Sequence, residues 1–158
     1  MSKFEVKQIG HVKADSNGFY IELEPQYIPA LEGLEDFKYI QMVWWFDKCD
    51  NKISRNKLQE KKPYTNGPEV LGTFATRSPE RPNPIALSCV YVTYIDSEKG
   101  IIGIAYTDAV DGSPVLDIKP YVASLDRIEN VQSPKWCSNW PDCIEKSGEF
   151  DWNAEFTF

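Results

Sequence analysis

Histidine is almost missing from this chain: His11 is the single one among 158 residues. A metal centre built on several imidazoles is excluded, and any imidazole general base would have to be that one residue. His11 falls in a segment that alternates like a strand, where an ordinary structural role is expected. Cysteine is scarce as well. Cys49, Cys89, Cys137 and Cys143 form no C-x-x-C pair, so reduced thiols are expected rather than a disulfide framework, and no metal is expected. No glycine-rich loop follows a strand, which argues against a Rossmann or P-loop site. No apolar run reaches the length of a membrane span, and the opening MSKFEVKQIG lacks the apolar core of a signal peptide. A cytoplasmic protein with no membrane partner is the expectation. Positive charge is in deficit, with 17 Lys and Arg against 24 Asp and Glu and a net charge of -7. That excludes a general nucleic-acid coat, which needs a concentrated basic face, but leaves room for a local basic patch.

What is present reads as one domain's length of globular sequence. Hydrophobic residues make up 42%, enough for a core, and five tryptophans point to packing on large rings. Residues 5–12 and 19–23 alternate around the turn signal Asp15-Ser16-Asn17-Gly18, a hairpin pattern. Residues 25–37 carry Leu31, Leu34 and Phe37 at helical spacing, with Gly33 keeping any helix short. Residues 39–46 (YIQMVWWF) are nearly all apolar and predict a strand buried on both faces. Residues 48–68 are polar and predict a long loop, either a solvated mobile segment or a phosphate-contacting one. Residues 85–95 and 101–106 form the clearest hairpin, and residues 115–122 predict a strand closed by Pro120. Many short strands with little helix predict a mainly β fold, an antiparallel β-barrel with short helices and long loops. The barrel is expected over residues 1–132. Residues 133–158, aromatic and acidic, are expected as a tail packing on the barrel or on a partner subunit.

The chain's polar chemistry gathers around residues 72–88, GTFATRSPERPNPIALS. Pro79, Pro82 and Pro84 each fix their own φ and push the preceding residue to extended conformations, so the loop is stiff and aims its side chains reproducibly. Arg77 and Arg81 on such a loop suit a charged or phosphorylated ligand; the alternative is a rigid surface turn with its arginines solvated or paired to acids. Asp108 and Asp111 lie in a tight turn, where carboxylates hold hydroxyls or amines, or merely form the turn.

Residues 31–46, 72–88 and DGSPVLDIKPYV together resemble the TsaA-like or TrmO family over most of the chain. The resemblance implies a β-barrel methyltransferase that uses S-adenosylmethionine, dimerises with the cofactor near the subunit interface, and N6-methylates threonylcarbamoyl-adenosine beside the tRNA anticodon. It implies cofactor-binding roles for Asp47, Lys48, Arg77, Leu87, Tyr106, Thr107, Asp108 and Asp111. Asp111 is the expected proton acceptor, and Arg81, Asn83, Lys57 and Lys61 the expected tRNA-binding residues. Arg77 and Asp108 are expected at one mouth of the barrel. A cofactor- or nucleotide-binding regulatory module, or a methyltransferase with a non-tRNA acceptor, is the alternative.

Overall fold

A computed structural model describes residues 3–158. In chain order the strands are β1 (Gly10–Asp15), β2 (Gly18–Leu23), β3 (Tyr39–Trp45), β4 (Gln59–Lys61), β5 (Val70–Gly72), β6 (Ile85–Asp96), β7 (Ile101–Ile104) and β8 (Pro114–Pro120). The chain divides into two compact units. One comprises the residues up to Asn51 with Asn83–Arg127; the other comprises Lys52–Pro82 with Ile128–Phe158. The second unit thus groups an internal excursion, residues 52–82, with the tail.

The first unit is the expected antiparallel barrel, closed in the order β1-β2-β7-β6-β3-β8 with β8 returning to β1. Its first hairpin turns where the sequence signals it. Gly18 sits at φ 103°, a conformation that favours glycine, and the Asp15 carboxylate accepts the Asn17 N–H at 2.7 Å. The first strand begins at Gly10, five residues later than its alternation suggests, since that residue is the first to pair with Leu23 and Val115. Alternating apolar residues turn inward, and Val12, Ile21, Ile40, Met42, Ile102 and Val115 are fully buried. Strand β3 departs from expectation. Ile40, Met42 and Trp44 face the core, while Tyr39, Gln41, Val43 and Trp45 on the other face are only half-buried. A nearly all-apolar strand thus lines a barrel on one side and leaves a mostly apolar stripe, interrupted by Gln41, on the outside. Between β2 and β3 lie two 3-10 segments, Pro25–Leu31 and Leu34–Asp36, separated by Gly33 at φ 82°.

The second unit overturns the expectation of a structureless loop over residues 48–68. Short helix α1 (Lys52–Arg55) leads to β4, which pairs antiparallel with β5. The tail's rings gather around Tyr64 of the same unit. Trp136 stacks on Tyr64 with centroids 5.1 Å apart, and Trp140 and Phe156 contact it at 5.1 and 5.8 Å. Trp152 extends the cluster against Trp140 and Phe156. These pairings half-bury Trp136, Trp140, Trp152 and Phe156, whereas Phe158 stays 92% exposed.

Candidate functional site

Antiparallel pairing collects several expected site residues at one end of the barrel. The end of β3 lies beside the start of β6, with Trp45 opposite Ile85 and the Phe46 N–H donating to the Pro84 carbonyl at 2.8 Å. Asp47 and Lys48 follow β3 directly, in a 3-10 turn, and their side chains pair at 3.0 Å. Leu87 stands on the outer face of β6, opposite Val43 and 48% exposed. Tyr106, Thr107, Asp108 and Asp111 occupy the connection from β7 to β8. The Tyr106 ring is 67% exposed and meets Phe19, at the start of β2, edge-on at 5.5 Å.

Within that connection the side chains divide by role. Thr107 is buried, and its hydroxyl accepts the Ala109 N–H at 3.1 Å, so it shapes the turn. Ala109 is drawn into the core behind it. The exposed Asp111 carboxylate accepts the Ala14 N–H at 3.1 Å, which ties the turn to the end of β1. Asp108 is exposed. Ser113, two residues beyond Asp111, is fully buried with a hydroxyl that has no partner. An exposed ring, an apolar side chain and carboxylates at one barrel end suit a ligand with a flat heterocycle, hydroxyls and positive charge. Asn83 is exposed, and its carbonyl accepts the Ile85 N–H at 2.7 Å at the entry to β6.

Arg77, Arg81, Lys57 and Lys61 belong to the second unit. Strand β5 runs into a 3-10 turn, Thr73–Ala75, and the proline-rich loop follows. Arg81 turns back into this loop, where its Nη2 donates to the Thr73 carbonyl at 3.0 Å and the Thr76 carbonyl at 2.8 Å. Lys57 lies between Glu80 and Glu60, 2.9 Å from the latter. Glu80, then Glu60, push the Lys57 ammonium above its ordinary pKa, and Lys57 holds the Glu80 carboxyl below its own. Ser78 donates to Glu60 at 3.0 Å and Ser54 to Glu80 at 3.3 Å. Lys61 and Arg77 are exposed.

Sequence reasoning missed Tyr64. It sits in a stretch read as polar loop, and nothing local marks it as the ring on which a segment some 70 residues later packs. Only 7% of it is exposed. Burial pushes its phenol pKa up, with Cys137 and Glu60 acting in the same direction, against the Arg77 backbone N–H and guanidinium.

Comparison with known proteins adds a family to this geometry. Residues 2–127 match the model of the tRNA-methyltransferase O N-terminal domain. An S-adenosyl-L-methionine-binding protein of Archaeoglobus fulgidus is 38% identical over 112 residues, 71% of this chain and 75% of the relative. A tRNA (adenine(37)-N6)-methyltransferase of Homo sapiens is 39% identical over 105 residues, 66% of this chain and 23% of that protein. A crystal structure of TrmO from Pseudomonas aeruginosa superposes with a TM-score of 0.63 at 26% identity, over 83% of this chain and 62% of the other. This chain therefore spans under a quarter of the human protein and about three fifths of the bacterial one.

Proposed function

Because the chain belongs to the tRNA-methyltransferase O N-terminal domain family, we propose that it binds S-adenosylmethionine and methylates N6 of a tRNA adenine. The acceptor we favour is threonylcarbamoyl-adenosine beside the anticodon. The observation that carries the reading is the gathering of Asp47, Lys48, Leu87, Tyr106, Asp108 and Asp111 at one end of the barrel. S-adenosylmethionine supplies an electrophilic methyl group on a sulfonium, and the acidic body of the protein favours that cation. Asp108 accepts hydrogen bonds from ligand hydroxyl or amino groups, the exposed Tyr106 ring offers a stacking face, and Leu87 an apolar wall. Asp47, Lys48 and Thr107 shape the surrounding turns. Arg77, in the second unit, carries an exposed guanidinium of the kind that suits a carboxylate.

An exocyclic adenine nitrogen is a weak nucleophile, so the protein's largest task is to hold it in line with the methyl group. Asp111 orients the amino group and receives its proton. Lys61 and Asn83, both exposed, are available to tRNA, whereas Lys57 and Arg81 already bond within their own loop. A homodimer through the outer stripe of β3 and β6 brings a second copy to Leu87. Support comes from Ile85, Leu87 and Tyr91, each more than two fifths exposed along one strand face.

A cofactor-binding regulatory module is the second reading. It is favoured by ion pairing of basic side chains, Lys48 with Asp47, Lys57 with Glu60 and Glu80, and Lys62 with Glu69. Mass spectrometry of tRNA nucleosides from cells with and without the gene separates the two. Loss of the N6-methylated nucleoside supports the enzyme; an unchanged profile beside intact cofactor binding supports the module.

A further inference from the structure

Charge is unevenly spread along this chain. Residues 52–82 hold seven Lys and Arg against three Glu, whereas the remainder holds ten against 21 acids. All three Glu are paired within the segment, Glu60 and Glu80 with Lys57 and Glu69 with Lys62. The excess is positive, and Lys52 and Lys61 stand exposed in it. The acidic tail joins the same unit at Pro63 and Thr65, past the end of β4.

On this basic segment the turn Thr73–Ala75 displays a ring. Phe74 is 86% exposed, although the tail's rings in the same unit pack against one another. The turn itself is fixed. Buried Thr73 donates its N–H to the Leu58 carbonyl and its hydroxyl to the Lys57 carbonyl, each at 2.9 Å. The Thr73 carbonyl accepts from the Thr76 N–H at 3.1 Å, the Thr76 hydroxyl at 2.9 Å and Arg81 Nη2 at 3.0 Å. A ring carried on a turn held this way is aimed before any partner arrives, which lowers the cost of ordering it on binding. The exposed Leu58 adjoins the turn through the Thr73 bond, and the exposed Lys61 and Val70 stand opposite each other on the β4–β5 ribbon.

An exposed ring amid an excess of cations suits a partner that has flat apolar faces and a row of negative charge. Unpaired nucleotides have both, since their bases stack on aromatic side chains while their phosphates meet lysines. A protein partner would cover the ring but carries no regular row of negative charge for the lysines to meet. We propose that the β4–β5 ribbon and its turn bind an unpaired stretch of RNA, with Phe74 stacking on one base and Lys52 and Lys61 contacting phosphates. This inference rests on the RNA substrate given above and concerns the surface of the second unit alone.

Fluorescence anisotropy of the full chain with a labelled anticodon stem-loop RNA tests it. Phe74→Ala should weaken binding about five- to a hundredfold, the factor one stacked base contributes, and Phe74→Trp should keep it. Lys61→Gln should lower the slope of log affinity against log salt by about 0.7, one phosphate contact to a single strand, while Phe74→Ala leaves the slope in place. A fully paired duplex of the same stem should bind Phe74→Ala and the unaltered protein alike. If the stem-loop binds but Phe74→Ala and Lys61→Gln hold it as the unaltered protein does, the ribbon is not the RNA surface and the proposal is wrong. If Phe74→Ala weakens binding yet cells without the gene keep their tRNA nucleoside profile, the ribbon's role stands and the methylation reading has failed. No binding of the stem-loop by the unaltered protein overturns both.

Discussion

The Asp111 carboxylate accepts the Ala14 N–H, and asparagine at this position keeps an oxygen for that bond while losing the charge. Asp111→Asn should therefore fold and bind cofactor like the unaltered protein, with turnover reduced by about a hundredfold or more, the range of a lost proton acceptor. Steady-state kinetics beside a thermal melt check this, and full turnover would remove Asp111 from the chemistry. Glu80 gives a prediction in pH. Lys57 holds its folded pKa below the ordinary 4.5, so its stabilising effect is present above that value and is lost as pH falls through the folded pKa. Glu80→Gln should melt at a lower temperature than the unaltered protein near neutrality, with the gap closing in acid. Tryptophan fluorescence reports this, because Trp136, Trp140 and Trp152 lie in the same unit. At this scale the sequence marked residues better than it marked their tasks. Arg81 is bound up with its own loop's carbonyls, Lys57 with two acids and Asp111 with a neighbouring strand. Residue type and spacing show that a guanidinium is present, not which carbonyl it turns toward.

Among the elements, the barrel's hairpins were legible because alternation and turn chemistry agree. Asp15-Ser16-Asn17-Gly18 and Asp96-Ser97-Glu98-Lys99-Gly100 both turn where they should, and Gly100 takes a φ of 69°. The excursion over residues 52–82 was not legible. Its strands β4 and β5 are three residues each, too short to show a period, and one of them is the polar Gln59-Glu60-Lys61. Gly10 tests the closure of the barrel, where β1 meets both β2 and β8. A Cβ there would sit 2.3 Å from the Glu22 carbonyl oxygen and 3.0 Å from the Leu23 Cα, and neither backbone atom can swing aside. Gly10→Ala should destabilise the fold by about 1–3 kcal/mol, the usual cost of overpacking, measured by urea unfolding. An unchanged midpoint would mean that the β1–β2 pairing is looser there than the register of Gly10 with Leu23 implies.

For the molecule as a whole, the acidic balance and the apolar outer stripe point the same way. An acidic body does not draw in a polyanion, so the proposed tRNA substrate has to be held by local groups, whereas a cationic cofactor is favoured. If the proposed dimer forms through the stripe carrying Ile85, Leu87 and Tyr91, the unaltered protein should run as a dimer in light scattering and Ile85→Asp as a monomer. The division of the chain into two units escaped the sequence because the tail joins the earlier excursion through ring contacts with no counterpart in local pattern. The most direct test of the central claim is calorimetric titration of the purified protein with S-adenosylmethionine, repeated with Asp108→Asn and Leu87→Asp. Saturable one-site binding that both substitutions weaken is the result this account expects. No heat of binding in the unaltered protein, or equal affinity in all three, would contradict it.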